Sequence, residues 1–470
     1  MEKITVLLYS FLILEIQSTA QTTLGDIIDL AKRNSYTSKL SQNELILADL
    51  AYTRFRIGLK PTLGFYGNAP VYNKDNYAVT QPDGSIKFLN RSQNYSNLGV
   101  GFSQPVPLTG GTIALNTDLY RFDDFAAKTK QYNGTPFFIR LTQPLFKYNP
   151  NKWDKQIEPL KLQEANQTLK ISMMQLEYDA CRLYFDIIEA QCNEELLVTN
   201  NRYIETNIAI EKRRVQLGVS TEDKVLQLEI QQIYSQQQQM AEHLNIRKAF
   251  LSLQTFINSK DTTIKHLQLP EQLPSINIDK ERAIASSKQN LPQYLSFQRK
   301  RLETQSKTAE AKAHGRQIDI VASYGLNNAS TNVSGIYRNP QDQQRFSVGF
   351  NVPIADWGRR KNNLAVFKIQ EEQVEIINKM EEEKLIAEIT ILMNELPVLQ
   401  RNIHQSLMLD TLSQRRFIIT NRLFQASKAS LSELQTSQIE KDNLRRNYIS
   451  ALRRFWEAYY LLKTKTGGEF

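Results

Sequence analysis

TQPLF at 142–146 and QLGVST at 216–221 come back as NVPIADWG at 351–358 and QASKAS at 425–430. Pro144 and Pro353, Gly218 and Ser427, and Leu253 and Leu462 are each 209 residues apart, so one unit occurs twice. Each copy reads as the end of a β-strand, a polar elbow, about 65 residues of helical pattern, a tight turn of small or hydroxyl residues, and about 35 further helical residues. At about 1.5 Å of rise per residue the longer helix would reach roughly 100 Å, which no compact domain accommodates.

Apolar spacing says what these helices want as neighbours. Met174, Tyr178, Cys181, Phe185, Ile188, Cys192 and Leu196 step by three and four, with Asp179, Arg182, Asp186, Glu189 and Glu194 between them. The second copy repeats the seam with Val374, Ile377, Leu385, Ile389, Leu392 and Leu396, and keeps Glu381 to Glu383 off it. Such a face packs against other helices in the manner of a coiled coil. Cys181 and Cys192, the only cysteines, would lie about 16 Å apart along the helix, too far for a disulfide, and are expected as buried thiols.

Of the 470 residues 41% are hydrophobic and 23% charged, enough apolar side chain for a packed core. The net charge of +9 is spread in mixed-sign runs, a solvated surface rather than a nucleic-acid footprint. Residues 1–20 read as a secretory signal, with Lys3, an apolar run from Ile4 to Ile16, and Ser18-Thr19-Ala20 before Gln21. No cysteine follows that cut to carry a lipid. No later apolar run reaches 18 residues, so any membrane span must be built of strands.

Residues 23–59 are helical in pattern up to Lys60-Pro61, and 278–315 repeat that arrangement up to Gly315. Between the helices lie segments of period two: Ile139 and Leu141 against Arg140 and Thr142, Val348, Phe350 and Val352 against Ser347, Gly349 and Asn351, and, less cleanly, Ile318, Ile320 and Ala322 against Asp319, Val321 and Ser323, while Leu63 to Ala69 is a strand rich in glycine and aromatics. One apolar and one polar face suit either a half-buried sheet or a barrel wall. Leu98–Val106 and Thr112–Phe122 form a further hairpin through Pro107-Leu108-Thr109-Gly110-Gly111. Asn73 to Asn97 and Asn327 to Gln344, rich in Asn, Asp, Gly, Gln and Ser, read as surface loops.

Four to six strands cannot close in hydrocarbon, where every unpaired backbone group costs several kcal/mol, and closure needs about eight. Several copies must share one barrel, and a ring of hairpins would also bury the helical seams. The fold class expected is thus α+β and internally duplicated: a long coiled-coil-like α-helical barrel plus a transmembrane β-barrel shared between chains. The strands occupy 61–146, with the extra hairpin 98–122, and 316–354; the helices occupy 21–60, 147–315 with a linker near 259–277, and 355–470.

The chain resembles the TolC-type outer-membrane efflux proteins, the outer membrane factor family. The carriers are TLGDIIDLAKRN (23–34), QPLF (143–146), LGVSTEDKVLQLE (217–229), LPQYLSFQRKRLETQSKTAEAKA (291–313), NVPIADWGRRKNN (351–363) and the closing segment 425–462. That resemblance implies a homotrimer, a twelve-stranded barrel with four strands per chain in outer-membrane lipid, and a helical portion crossing the periplasm. Its implied partners are a periplasmic adaptor (membrane fusion protein) and an inner-membrane pump. It places adaptor contacts at Gly218 and Thr221 in the first turn and at Ser427 and Ser430 in the second, where glycine is missing. It places a periplasmic gate at Glu433 and Thr436, with one acidic ring of three Glu433 side chains. The extra hairpin departs from the pattern, and Pro397 falls inside the second long helix, where it should kink the chain.

No catalytic residue, metal site or cofactor motif emerges: His243, His266, His314 and His404 are scattered, and LTGGT lacks the Gly-Lys-Ser/Thr of a phosphate cradle. The rival to a passive exit duct is a periplasmic coiled-coil scaffold with a small soluble β-domain. Such a sheet would pack one face on its own helices.

Overall fold

The computed structural model describes residues 22–259, 266–276, 279–315, 317–468 and 470. The expected signal at 1–20 and part of the linker near 259–277 lie outside the described residues. In chain order the elements are α1 (Leu24–Asn34), α2 (Tyr36–Gly58), β1 (Thr62–Asn68), β2 (Tyr72–Thr80), β3 (Ile86–Val106), β4 (Gly111–Asp124), β5 (Thr129–Leu145), α3 (Pro150–Gln216), α4 (Glu222–Phe256), α5 (Lys280–Asn290), α6 (Pro292–Ala313), β6 (Gln317–Ser330), α7 (Val333–Arg338), β7 (Gln341–Asn351), α8 (Arg359–Gln425) and α9 (Leu431–Thr466). The two long helices are 67 residues each and run on through Pro159 and Pro397 respectively. Their first and last residues are 209 apart, as the repeat requires.

Each expected entry helix is in fact two. α1 stops at Ser35, whose N–H bonds Ala31, and α5 stops at Leu291, whose N–H bonds Ser287. The second break precedes Pro292, which disfavours helical backbone in the residue before it. At the first, the Ser35 hydroxyl accepts from Ser38 N and restarts the chain as α2.

One compact unit is made of the described residues within 1–43, 168–291 and 385–470. Its main core draws Ile27 from α1, Tyr184, Phe185 and Ile188 from α3, Ile389 and Leu396 from α8, and Leu452 and Phe455 from α9. Cys181 and Cys192 are buried and unbridged as expected, and burial pushes both thiols up, Cys192 to about 11. The α3 seam is wider than one heptad stripe: Leu176, Ala180, Tyr184 and Ile187 are buried as well. This face therefore meets more than one neighbouring helix. Glu177, almost fully buried, is held by Lys32 at 2.5 Å and Lys463 at 2.7 Å, so its charge is paired twice.

The second unit holds Glu44–Gln167 and Pro292–Lys384. Here Arg299 of α6 donates to Glu164 of α3, and Arg301 to Glu375 of α8. Ile377, placed on the seam by spacing, is 46% exposed in this unit, and Asn378 beside it is the buried residue. An exposed apolar residue at a seam position is what a helix lacking its neighbour leaves behind.

A single antiparallel sheet completes this unit, in the order β1-β3-β4-β5-β6-β7, with β2 on β3. β1 pairs with 97–103 of β3 and β2 with 86–94, so the two form one column interrupted at Ala69-Pro70-Val71. The sheet thus has six columns instead of the four that the family resemblance implied. The two expected loops are also corrected. Asn73–Asn97 is mostly β2 and the outer half of β3, turning at Gln81–Ser85, while Asn327–Gln344 is strand, the short α7 and strand again. Their polar side chains suit strands solvated on both faces, where composition no longer separates strand from loop.

Register sorts the side chains. Leu63, Phe102, Leu115, Ile139 and Tyr324 sit opposite one another across five strands on one face. Phe65 and Val100 lie beside that row, and Ala322, Phe346, Val348 and Phe350 carry the same face across β6 and β7. The other face carries Tyr66, Asn116, Asp118, Arg140, Ser323 and Arg345. There Tyr66 lies over Gly99, where a Cβ would come 2.7 Å from the ring, and its hydroxyl bonds Asp118. Beyond the place where Ile336 of α7 packs over Gly134, the apolar face is bare: Phe65 is 74% exposed and Phe350 80%.

Candidate functional site

The paired helical turns have one backbone. In the first, Leu217 N bonds Arg213 O, Gly218 N bonds Val215 O, and Val219 N bonds Arg214 O. In the second, Ala426 N bonds Arg422 O, Ser427 N bonds Phe424 O, and Lys428 N bonds Leu423 O. Every donor and acceptor is displaced by 209, and both form the left-handed helix stop in which one residue takes positive φ. Gly218 does so at 73° and Ser427 at 56°. The missing glycine therefore leaves the turn intact at a strain of about 1–2 kcal/mol for a residue with a Cβ. Part of that strain is offset by glycine's greater freedom in the unfolded chain, so Ser427→Gly should stabilise the second turn by about 0.5–1 kcal/mol. Slower hydrogen exchange at the Lys428 amide checks it.

The four turn residues are exposed, but their hydroxyls differ. Thr221 starts α4 without a side-chain cap bond, whereas Ser430 starts α9 in a capping box with Glu433. Ser430 N and Oγ donate to the Glu433 carboxylate at 2.7 and 2.9 Å, and Glu433 N donates back to Ser430 Oγ. These bonds hold the Glu433 carboxyl below its ordinary range. Thr436 spends its hydroxyl on Ser432 O, 2.9 Å away in its own helix. The position matching Glu433 in the first copy is Lys224, so the box is not duplicated. Leu217 and Val219, each 70% exposed, flank Gly218 with apolar surface that Ala426 and Lys428 do not reproduce.

Sequence reading missed what binds the turns together. Glu211 of α3 is 1% exposed. It pairs with Arg214 and accepts from Ser220 Oγ at 2.6 Å. Arg214 also donates to Phe424 O and Gln425 O, both at 2.7 Å, and lies over the Phe424 ring. Both carbonyls belong to the last turn of α8, where helix carbonyls run out of intrahelical donors; Phe424 O also accepts from Ser427 N of the helix stop. The only hint in the sequence was an acid and a base three residues apart, a spacing common on exposed helices. Further along, Asn200, Lys441 and Asp442 form a buried polar set, and Asn207 donates to Asn421.

Among the described residues no group of three or more His, Cys, Asp and Glu side chains could hold a metal, and no helix is long and apolar enough to cross a membrane.

No family model matches the sequence, and no curated protein matches it. Solved structures do. The outer membrane channel CmeC of Campylobacter jejuni aligns over 95% of this chain and 85% of its own at 12% identity, with a TM-score of 0.67. The outer membrane protein VceC of Vibrio cholerae aligns over 95% and 96% at 11% identity, with a TM-score of 0.69. The open state of the Neisseria gonorrhoeae outer membrane channel MtrE aligns over 95% and 89% at 13% identity, with a TM-score of 0.64. The chain therefore has the fold of these channels, mixed helix and strand throughout.

Proposed function

We propose that this chain, sharing the fold of the outer membrane factor channels, is one of three identical subunits of an outer-membrane duct. The duct conducts solutes passively from an inner-membrane pump, received through a periplasmic adaptor, in tripartite efflux or type I secretion. One observation supports this reading above the others: the sheet leaves most of its apolar face uncovered, and among the described residues its β1 and β7 edges are unpaired. A soluble scaffold would bury that face, whereas a shared barrel turns it to lipid and pairs its edges with sister subunits. Trp357, 97% exposed, and Phe146, 72% exposed, stand at strand-to-helix elbows, where aromatic girdles meet the membrane interface.

Fractionation tests the proposal. The protein should stay with outer membranes through high salt, require detergent for release, and migrate as a trimer. Release by salt alone as a monomer would return the scaffold reading. Deleting it should sensitise cells to a pumped compound or abolish secretion of a substrate.

Within this reading the exposed turns at Gly218, Thr221, Ser427 and Ser430 meet the adaptor, with Leu217 and Val219 adding apolar contact. Glu433 and Thr436 line the periplasmic entrance. The capping box gives Glu433 a structural task besides, and two substitutions separate the roles. Glutamine keeps a capping acceptor and loses the charge, while alanine loses both. A charged ring requires Glu433→Gln to relieve cation block of single-channel current as fully as Glu433→Ala. Wild-type block in Glu433→Gln would leave the residue as a cap alone.

A further inference from the structure

We propose that the hairpin of β3 and β4 belongs to the membrane wall, so that three copies close an eighteen-stranded barrel instead of a twelve-stranded one. β1 of each copy then pairs with β7 of the next. This rests on the three-copy channel reading and adds to it the width of the pore at the outer membrane.

Three observations place the hairpin in the wall. β4 is paired along its whole length with β3, from Gln93↔Asp124 to Val106↔Gly111, and on its other side with β5. Taking the hairpin out would leave β1 and β2, which pair only with β3, without a partner. Secondly, both faces run through the hairpin without a change of character. Phe102 and Leu115 continue the apolar row between Leu63 and Ile139, while Asn116 and Asp118 continue the polar face. A hairpin lying in water, or folded into the lumen, has no use for such a row. Thirdly, the 107–110 turn is tied to the end of the sheet where β5 runs into α3. Asn149 Nδ2 donates to Pro107 O at 2.9 Å, and Gln143 Nε2 donates to Thr109 O at 3.1 Å. The hairpin therefore spans the same depth as its neighbours.

The edges suit a second copy of this chain. Six antiparallel columns leave β1 and β7 running in opposite directions, so β7 of one copy meets β1 of the next antiparallel. Leu63 and Phe65 on β1, and Phe346 and Val348 on β7, extend the same apolar face to both edges, so the band continues across the seam. With strands about 4.8 Å apart and tilted by about 40°, eighteen give a backbone diameter of about 36 Å against about 24 Å for twelve. The outer opening then admits hydrated polymers that a twelve-stranded pore excludes.

Single-particle imaging of the full chain in lipid nanodiscs tests this, because the strands around a three-fold barrel can be counted. The count should be eighteen, and polyethylene glycols added on the extracellular side should enter the mouth at an exclusion diameter more than about 1.5 times that of a twelve-stranded homologue, since side chains narrow both pores by the same width. A three-fold particle with twelve wall strands and the 86–124 hairpin outside or within the lumen overturns the inference and leaves the channel reading standing. A particle without three-fold symmetry overturns both.

Discussion

Leu115→Arg should prevent assembly in the outer membrane, while Asn116→Arg, one residue along the same strand, should assemble and conduct. Leu115 lies in the middle of the apolar row between Phe102 and Ile139, and Asn116 points to the opposite face beside Gly101 and Phe138. Arginine on the lipid side of a barrel costs about 2–4 kcal/mol near mid-membrane, and in the proposed trimer the penalty would recur in each subunit. On the water side the same side chain extends into the lumen and costs little. The measurement is the share of each variant recovered from outer membranes as a trimer that dissociates only on heating. Recovery of Leu115→Arg and loss of Asn116→Arg would mean that the faces have been assigned the wrong way, and equal recovery that neither meets lipid. Conductance of Asn116→Arg supplies the second readout, because added positive charge in the lumen shifts selectivity towards anions.

The parts of this fold legible in the sequence were those with local causes. The repeat was visible because helix stop, elbow and seam are each written in a few consecutive residues, and the displacement of 209 recurs in the backbone hydrogen bonds themselves. The seam residues Cys181, Phe185 and Ile188 were legible for the same reason. What escaped depended on partners distant in sequence. Lys74, Asp75 and Asn76 look like loop residues, and they form strand because Ser92, Arg91 and Asn90 lie opposite them in β3. Pro82-Asp83-Gly84 was a turn signal that could have divided that stretch into two strands. Ile377 follows the heptad and is exposed, since spacing shows which way a side chain faces but not whether another helix stands there. At the turns the sequence located Gly218, Ser427 and Ser430, yet the Glu211 and Arg214 pair was hidden because its importance comes from burial and from carbonyls 210 and 211 residues away.

That pair carries the second large effect. Arg214→Ala should cost about 3–5 kcal/mol locally, since it strands a buried carboxylate that afterwards keeps only the Ser220 hydroxyl. It also removes the bonds donated to Gln425 O and to Phe424 O at the end of α8, leaving Phe424 O with Ser427 N alone. Arg214→Lys should recover little, because a single ammonium cannot reach Glu211 and both carbonyls as the guanidinium fork does. Both turns should loosen together, because Arg214 is the side chain that ties the first to the backbone of the second. Hydrogen exchange at the Val219 and Lys428 amides should therefore accelerate together by roughly a hundredfold or more, with the amides of Leu452 and Phe455 in the main core unchanged. Replacing Glu211 with Leu and Arg214 with Met should restore most of the Val219 protection, since an apolar pair of similar volume removes the uncompensated charge. It should restore less at Lys428, whose helix end still lacks the donated bonds. Acceleration at Val219 alone in Arg214→Ala would show that the pair stabilises only its own hairpin, and that the two turns move independently.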